Sequence, residues 1–294
     1  MNPPKFDYYR AESVGEAISL MAQNPNAKFL AGGHSLIPVM NLRLADPGAL
    51  IDIGRIGEMN GIHVLRDGSC SIGALTTHAT VAANDDVPTV LSEAAGMIGD
   101  PQVRNRGTVG GNVAHADPAS DLPTVFTALD ASFEIEGPSG SRDVLAGDFF
   151  VDLFTTALQD GEILKSIRVR TPQPGRMFNN AAGSAYAKLA NPASGYAMVG
   201  AAAVIAAENG RCTHCSVGVG GVMPTATRAA SVAQSLQGKT LSEENIAAAA
   251  AAVADDLNGD VLTDIHASAD YRRAMAKVYV GRALTSAARR AALT

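Results

Sequence analysis

The chain contains two short glycine motifs, AGGHS at residues 31–35 and TVGGN at residues 108–112. Paired glycines after a predicted strand permit positive φ angles and a close approach of the backbone to a ligand. Successive N–H groups exposed in this way form a concave site for an anion. Ser35, Thr108 and Asn112 add side chains that can form hydrogen bonds. If the two motifs meet in space, they can hold a diphosphate from both sides.

A polar segment, HADPASD at residues 115–121, follows the second motif. Asp121 can accept hydrogen bonds from the hydroxyls of a ligand, or it can cap the helix predicted after it, and the sequence leaves both interpretations open. Of the six histidines, His34 and His115 adjoin the motifs and are candidate ligand contacts. The other histidines, His78 among them, are interpreted as structural or surface residues.

Several other chemistries are not supported by the motifs. No G-x-G-x-x-G follows a predicted strand, so a nicotinamide site of the Rossmann type is not indicated. The segment AQSLQGKT, residues 233–240, resembles a loose P-loop, but it lacks the first glycine and follows a predicted helix. Cys212 and Cys215 have the spacing of metal ligands, but residues three apart on a strand point to opposite faces, so their thiols should not converge. We predict no metal site and no catalytic nucleophile.

The composition indicates a folded protein with about two domains. The chain has 294 residues, 47% of them hydrophobic and 18% charged, which is sufficient for a substantial core. A formal net charge of -6 argues against nucleic acid as a partner, since phosphate binding requires a basic surface. The first residues, MNPPKFDYYR, do not form a signal peptide, and no apolar run is long enough to span a bilayer. A cytoplasmic protein is therefore expected.

The elements predicted before residue 171 alternate between short strands and helices. Ser13 and Glu16 form a capping box that predicts a helix over residues 13–24. Further helices are predicted near residues 88–98 and 123–129, among short strands. The segment TPQPGRMFNNAAG, residues 171–183, is rich in proline and glycine and is the predicted domain boundary.

Three strands and then helices are predicted after that boundary. Asn209-Gly210 predicts a hairpin between the second and third strands, residues 197–207 and 212–222. Thr240 and Glu243 are predicted to form a second capping box, and Ser268 to cap the final helix. Strands followed by helices in both halves indicate an α+β protein.

Long stretches of the chain match one known family. They include FLAGGHSLIPVMNLRLADPGALIDIGRI at residues 29–56, RNRGTVGGNVAHADPASDLPTVFTAL at residues 104–129 and SAYAKLANPASGYAMVGAAAVI at residues 184–205. In these stretches the chain resembles the FAD-binding medium subunit of the molybdenum hydroxylases, which include xanthine dehydrogenase and aerobic carbon monoxide dehydrogenase. The resemblance is to the carbon monoxide dehydrogenase type of medium chain in particular.

The resemblance implies a definite architecture. Residues 1–176 would form a two-lobed FAD-binding domain of the vanillyl-alcohol-oxidase (PCMH) type, with lobes at residues 1–56 and 57–176. Residues 180–290 would form a smaller C-terminal domain with a three-stranded antiparallel sheet and helices.

The resemblance also implies which residues contact FAD. The two glycine motifs would bind its diphosphate, Asp121 would contact the nucleotide and Tyr196 would lie near the isoalloxazine. The lysine that xanthine dehydrogenase-like proteins place beside the flavin aligns with Met198, so that contact is not implied here. The full implied set is Leu30, Ala31, Gly32, Gly33, His34, Ser35, Leu36, Ile98, Thr108, Gly110, Gly111, Asn112, Asp121, Leu164, Lys188 and Tyr196.

The function implied by the resemblance is electron transfer. A large subunit would hold the molybdenum cofactor, and a small subunit would hold two 2Fe–2S clusters. FAD on this chain would collect electrons from the clusters and pass them to an external acceptor such as a quinone, a cytochrome or dioxygen. The complex would be a dimer of heterotrimers, cytoplasmic or peripherally associated with a membrane, and its substrate is not indicated.

Two alternative functions are open. The first is a stand-alone flavin oxidase on the same fold, which usually attaches its flavin covalently. The second is an assembly module that has lost its flavin, against which the two intact glycine motifs argue.

Overall fold

The computed structural model describes residues 2–170 and 181–293. The predicted domain boundary at residues 171–183 falls mostly outside these ranges. Three main sheets and the helices around them are formed by the described residues.

The first sheet is small and parallel. Its strands are β1 (Asp7–Arg10), β2 (Ala27–Leu30) and β3 (Ala49–Asp52), and β3 lies between the other two. The crossovers contain the helices α1 (Val14–Gln23) and α2 (Leu36–Asn41). A short 3-10 helix, Gly57–Met59, leads to the second sheet.

The N-cap predicted at Ser13 for α1 is confirmed, but the reciprocal bond of a capping box, from the N–H of Ser13 to Glu16, is replaced by one from Glu12. The Oγ of Ser13 accepts a hydrogen bond from the N–H of Glu16, and the Glu16 carboxylate accepts from the N–H of Glu12. These two bonds satisfy N–H groups that have no partner inside the helix, so the side chains of Ser13 and Glu16 favour a helix that begins here.

The second sheet is antiparallel and has five strands. They are ordered β4-β5-β10-β6-β7, and a two-stranded hairpin, β8 and β9, lies beside them. The strands are β4 (Ile62–Val64), β5 (Ser69–Gly73), β6 (Ser132–Gly137), β7 (Gly140–Leu145), β8 (Phe150–Asp152), β9 (Thr155–Thr156) and β10 (Ile163–Arg170).

Six helices connect these strands, and several of them are only one or two turns long. They are α3 (His78–Ala82), α4 (Thr89–Gly96), α5 (Pro101–Arg104), α6 (Val109–His115), α7 (Asp121–Ala128) and α8 (Ala146–Phe149). The shortest were not predicted, because a helix of four to seven residues shows too little of its 3.6-residue period.

The third sheet contains the three antiparallel strands expected from the resemblance and one short addition. The strands are β11 (Ala181–Ala190), β12 (Ala197–Glu208), β13 (Arg211–Gly220) and the two-residue β14 (Thr227–Arg228). The hairpin at Asn209-Gly210 is confirmed, and both residues have positive φ angles.

Helices at the C-terminal end cover this sheet. They are α9 (Ala230–Leu236), α10 (Glu243–Ala251), α11 (Val253–Asp256) and α12 (Ala269–Leu293). The prediction for Thr240 was wrong, because Ser242 is the N-cap of α10 and accepts from the N–H of Asn245. Thr240 instead pairs with Arg211 in an isolated β-bridge. Ser268 accepts from the N–H of Tyr271, as predicted for the start of the last helix.

Both faces of the third sheet are buried, which joins the two halves of the molecule. On β12, Ala202 and Val204 belong to the core under the second sheet, whereas Ala201, Ala203 and Ile205 belong to the core under the C-terminal helices. A strand that is buried on both faces has a continuous run of apolar residues, which explains why residues 198–207 are apolar throughout. Among the helices of the described residues, none combines the length and apolarity needed to cross a bilayer.

Candidate functional site

A cavity of about 700 Å³ is lined by residues of the first and second sheets and by the turn before β12. Both glycine motifs reach it. Of the sixteen residues that the resemblance implies, all except Lys188 line this cavity. Its size is within the range of sites that hold a cofactor. Three distant parts of the sequence therefore meet at one place, as the resemblance requires.

The first glycine motif presents its backbone to the cavity. It follows β2 directly, and Gly33 has a φ of 75°, a conformation that side chains disfavour. Within the described residues, the N–H groups of residues 32–35 donate to no acceptor. A run of unpaired amides at a cavity wall is a site for an anionic group.

Gly32 brings this motif against the segment before the second motif. A Cβ on Gly32 would lie 2.1 Å from the carbonyl oxygen of Arg106 and 3.0 Å from the Cα of Gly107. Any side chain would therefore push the two segments apart. At position 32 glycine is required because the two segments approach closely. At position 33 glycine is favoured because the backbone has a positive φ.

The second glycine motif is helical, which differs from the positive-φ backbone we expected. Its glycines lie in the first turn of α6, after the N-cap Thr108, and neither has a positive φ. Gly110 donates its N–H to the carbonyl of Ala74, and a Cβ at Gly110 would lie 2.4 Å from the Cβ of Ala74. This glycine therefore allows α6 to pack closely against the end of β5.

The amides of residues 109–112 in the second motif are already paired, so at these residues the side chains are the groups available to a ligand. The N–H of Gly111 donates to the Oγ1 of Thr108 at 3.2 Å. Asn112 donates from its Nδ2 to the Oγ of Ser120, and its buried Oδ1 has no partner among the described residues. An unpaired buried acceptor is costly, and a hydroxyl of a bound ligand would satisfy it.

Asp121 is the first residue of α7 and does not cap it through its side chain, because the N-cap is Ser120. Its carboxylate accepts from the hydroxyl of Tyr186 at 2.7 Å and from the ammonium of Lys188 at 2.8 Å. Burial raises the pKa of Asp121, and the ion pair with Lys188 opposes that shift. Lys188 also donates to the carbonyl of Met97, so it supports the wall behind Asp121.

A tight turn places Tyr196 at the edge of the cavity. The Oδ1 of Asn191 accepts from the N–H groups of Ala193 and Ser194, and Gly195 follows with a φ of 74°. The side chain of Tyr196 is half-exposed. Burial and the nearby carboxylates of Asp117 and Asp121 raise its pKa, so the phenol stays protonated at neutral pH.

Phe154 and His78 are among the cavity residues that the sequence analysis missed. Phe154, at the tip of the β8–β9 hairpin, is half-exposed and packs against His115 with 5.2 Å between ring centroids. Its φ of 53° is unusual for a bulky residue. His78 lies in the wall and is almost fully buried. Neither has a local sequence signal, because their positions depend on contacts between distant segments.

The prediction that the thiols of Cys212 and Cys215 diverge was wrong. The register of β12 and β13 shifts at Thr213, and this bulge turns both cysteines into the same buried core. The hydrogen bond with Cys212 and burial raise the pKa of Cys215, so this thiol remains protonated. The described residues contain no group of three or more His, Cys, Asp or Glu side chains arranged to hold a metal.

Comparison with protein families identifies both halves of the chain. Residues 4–172 match the FAD binding domain in molybdopterin dehydrogenase, and residues 184–287 match the CO dehydrogenase flavoprotein C-terminal domain. The chain therefore belongs to the FAD-binding medium subunits of the molybdenum hydroxylase family, and it is an oxidoreductase subunit with a PCMH-type FAD-binding fold.

Individual relatives agree with this assignment over the full length. The carbon monoxide dehydrogenase medium chain of Hydrogenophaga pseudoflava is 41% identical, with 98% of each chain covered. The 6-hydroxypseudooxynicotine dehydrogenase complex subunit alpha of Paenarthrobacter nicotinovorans is 37% identical, over 99% of this chain and 97% of its own. A solved structure of the Hydrogenophaga carbon monoxide dehydrogenase superposes with a TM-score of 0.92 at 40% identity, covering 99% of both chains.

The residues of the cavity fit the FAD that this family carries. The unpaired amides of the first motif suit a diphosphate, and Gly32 and Gly110 allow the segments that line the cavity to pack closely together. The unpaired Oδ1 of Asn112 suits a hydroxyl donor. The predictions of family, fold and cofactor are confirmed, whereas the contacts of individual residues with FAD stay predictions.

Proposed function

We propose that this chain holds FAD in the cavity between its glycine motifs and is the subunit of a molybdenum hydroxylase that transfers electrons to the external acceptor. The unpaired N–H groups of residues 32–35 at the cavity wall carry this proposal. Four consecutive residues with unpaired donors at a cavity wall suit the diphosphate of a dinucleotide. Electrons would arrive from 2Fe–2S clusters on a small subunit and leave to an external acceptor.

The residues of the chain would hold, orient and screen the flavin. The first motif would hold the diphosphate through its amides, and Thr108 and Asn112 would add side-chain hydrogen bonds. Asp121, fixed by Tyr186 and Lys188, would lie beside the nucleotide. FAD itself supplies the ability to take up two electrons and release them to an acceptor.

The relatives support the proposed partners. Carbon monoxide dehydrogenase and the 6-hydroxypseudooxynicotine dehydrogenase complex use medium chains that are 41% and 37% identical to this one, although their names denote different substrates. We therefore assign substrate choice to a large molybdenum-binding subunit. A small iron–sulfur subunit would complete a heterotrimer, and two heterotrimers would associate. We propose a cytoplasmic complex.

The test is to purify the tagged chain gently from its native source, together with the polypeptides that accompany it. The proposal expects flavin absorption, iron–sulfur absorption, molybdenum and two additional polypeptides. Acid precipitation should release the flavin into the supernatant, whereas a covalent oxidase would retain it in the pellet. A lone colourless chain that takes up no added FAD would overturn the proposal.

A matched pair of variants extends this test to the cavity. Gly32→Ala places a methyl group against the carbonyl of Arg106, and Gly15→Ala places one where no atom lies within 4 Å. Loss of FAD from the first variant and retention in the second would assign the flavin to the first glycine motif. Equal retention in both would place the flavin elsewhere.

A further inference from the structure

His78 lies where the two glycine motifs come together. It is the first residue of α3, after the N-cap Thr77, and it donates its backbone N–H to the carbonyl of Gly107 at 3.0 Å. A Cβ on Gly107 would lie 2.8 Å from the Cδ2 of His78 and 2.9 Å from its Nε2. This edge of the imidazole therefore packs on the segment that Gly32 also approaches.

The imidazole of His78 is neutral near pH 7. Burial and the neighbouring His34 lower its pKa to about 4. A neutral imidazole has one N–H donor and one bare nitrogen acceptor. Which nitrogen carries the proton depends on the partners available to each.

The surroundings of the ring favour the proton on Nε2. The Nδ1 is buried and has no hydrogen-bond partner among the described residues. A buried N–H without an acceptor is rarer in proteins than an acceptor without a donor. The tautomer of lower free energy therefore leaves Nδ1 without a proton and places the proton on Nε2. The Nε2 lies on the edge of the ring that faces Gly107, and His78 lines the cavity.

We propose that His78 is a side-chain ligand of the FAD diphosphate and donates from its Nε2 beside the amides of the first glycine motif. The inference rests on the proposed function and adds a residue to it. The ring packs on Gly107, and Gly32 also approaches Gly107, because a Cβ on Gly32 would lie 3.0 Å from the Cα of Gly107. His78 and residues 32–35 line the same cavity, and His34 is close enough to lower the pKa of His78. A neutral donor can be buried there in the empty site at less cost than a charged one.

The proposal has a spectroscopic consequence that a purely structural histidine would not show. An anionic diphosphate next to the ring favours its charged form and raises its pKa. Binding of FAD or of ADP should therefore raise the pKa of His78 by about one unit or more. Riboflavin, which has no phosphate, should leave that pKa unchanged.

The experiment is NMR of the full chain with isotope-labelled histidine, titrated with acid in the empty state and after addition of FAD, ADP or riboflavin. The empty chain should show the Nε2–H tautomer. A pKa that rises with FAD and ADP but not with riboflavin supports the proposal. An unchanged pKa in a chain that binds FAD overturns it and leaves the proposed function intact. Failure of the chain to bind FAD overturns both.

A variant provides an independent readout. His78→Phe keeps a ring but has no N–H donor, so it should weaken FAD binding by about tenfold, the effect of losing one hydrogen bond to a charged group, and should leave riboflavin binding unchanged. His63→Phe is the matched control, because His63 is exposed on β4 and does not line the cavity. Equal losses of FAD and riboflavin in His78→Phe would indicate a structural role and contradict the proposal.

Discussion

Lys188 and Asp121 form an ion pair inside the wall of the cavity that both glycine motifs line, with 2.8 Å between Nζ and Oδ2 and side chains that are only 4% and 5% exposed. Asp121 also accepts from the hydroxyl of Tyr186. Removing two charges from water costs several kcal/mol, and the loss is recovered only when the pair and its hydrogen bonds are complete. The pair joins α7 to β11 at the point where the cavity wall is formed.

Removing only the ammonium should therefore be strongly destabilising. Lys188→Met leaves a buried carboxylate without its counter-charge, and we expect a loss of about 3–5 kcal/mol in the free energy of unfolding. The double variant Asp121→Asn/Lys188→Met should lose less than Lys188→Met alone, because no unpaired charge remains. Urea denaturation of the flavin-free chain measures both values. A double variant at least as unstable as Lys188→Met alone would contradict this explanation.

The pH dependence of Lys188→Met follows from the same carboxylate. Burial already raises the pKa of Asp121 in the folded protein, and loss of Lys188 should raise it further. The folded variant then binds a proton more readily than the unfolded chain, so its stability increases as the pH falls through this raised pKa. The deficit relative to the original chain should therefore shrink between neutral and mildly acidic pH in urea denaturation. A constant deficit would contradict this explanation.

The pKa of His78 has the opposite consequence for stability. Its folded value is about 4, against an ordinary value near 6.5, so below pH 6.5 the unfolded chain binds more protons. The neutral ring contributes about 3 kcal/mol to the free energy of unfolding above pH 6.5. This contribution is lost as the pH falls from 6.5 towards 4. The difference in unfolding free energy between the original chain and His78→Gln should follow this curve. A difference that does not vary with pH would show that the ring titrates normally.

The glycines of the two motifs should tolerate alanine differently from other glycines. In Gly32→Ala and Gly110→Ala the new Cβ would overlap backbone or a neighbouring methyl group, and overpacking costs about 1–3 kcal/mol. Gly15→Ala, inside α1, has open space and should stabilise the chain by up to about 1 kcal/mol. Thermal unfolding compares the three variants. A Gly110→Ala variant as stable as Gly15→Ala would mean that α6 can move away from Ala74.

The sequence predicted those features whose causes are local. The cap at Ser13 and the turn at Asn209-Gly210 depend on a few neighbouring residues, and both are confirmed. The first glycine motif was also correctly interpreted as exposed backbone, because Gly33 has a positive φ. Here the local conformational preference and the tertiary structure agree.

Features set by distant contacts were not predictable in this way. Gly110 of the second motif is required for packing on Ala74, which is far away in sequence, so we expected backbone with positive φ angles and found a helix. The bulge at Thr213, which reverses the expected direction of one cysteine, depends on the register with β12. His78 was interpreted as structural because nothing near it in the sequence indicates the cavity.

Phe154 offers a separate test of backbone strain at the cavity. It lies at the tip of the β8–β9 hairpin with a φ of 53°, and a residue with a Cβ in this left-handed region costs about 1–2 kcal/mol relative to glycine. Its ring lines the cavity beside His115. Strained residues of this kind persist where the surrounding structure holds them, and they cluster at ligand sites.

Two variants separate the strain at Phe154 from the contribution of its ring. Phe154→Gly and Phe154→Ala both remove the ring, but only glycine also relieves the left-handed φ. We expect Phe154→Gly to be more stable than Phe154→Ala by about 1 kcal/mol in urea denaturation, because both lose the contact with His115 equally. If the ring contacts the cofactor, both variants should lose FAD affinity to the same extent, measured by flavin fluorescence. Equal stability would show that the hairpin relaxes, and unchanged affinity would remove Phe154 from the flavin site.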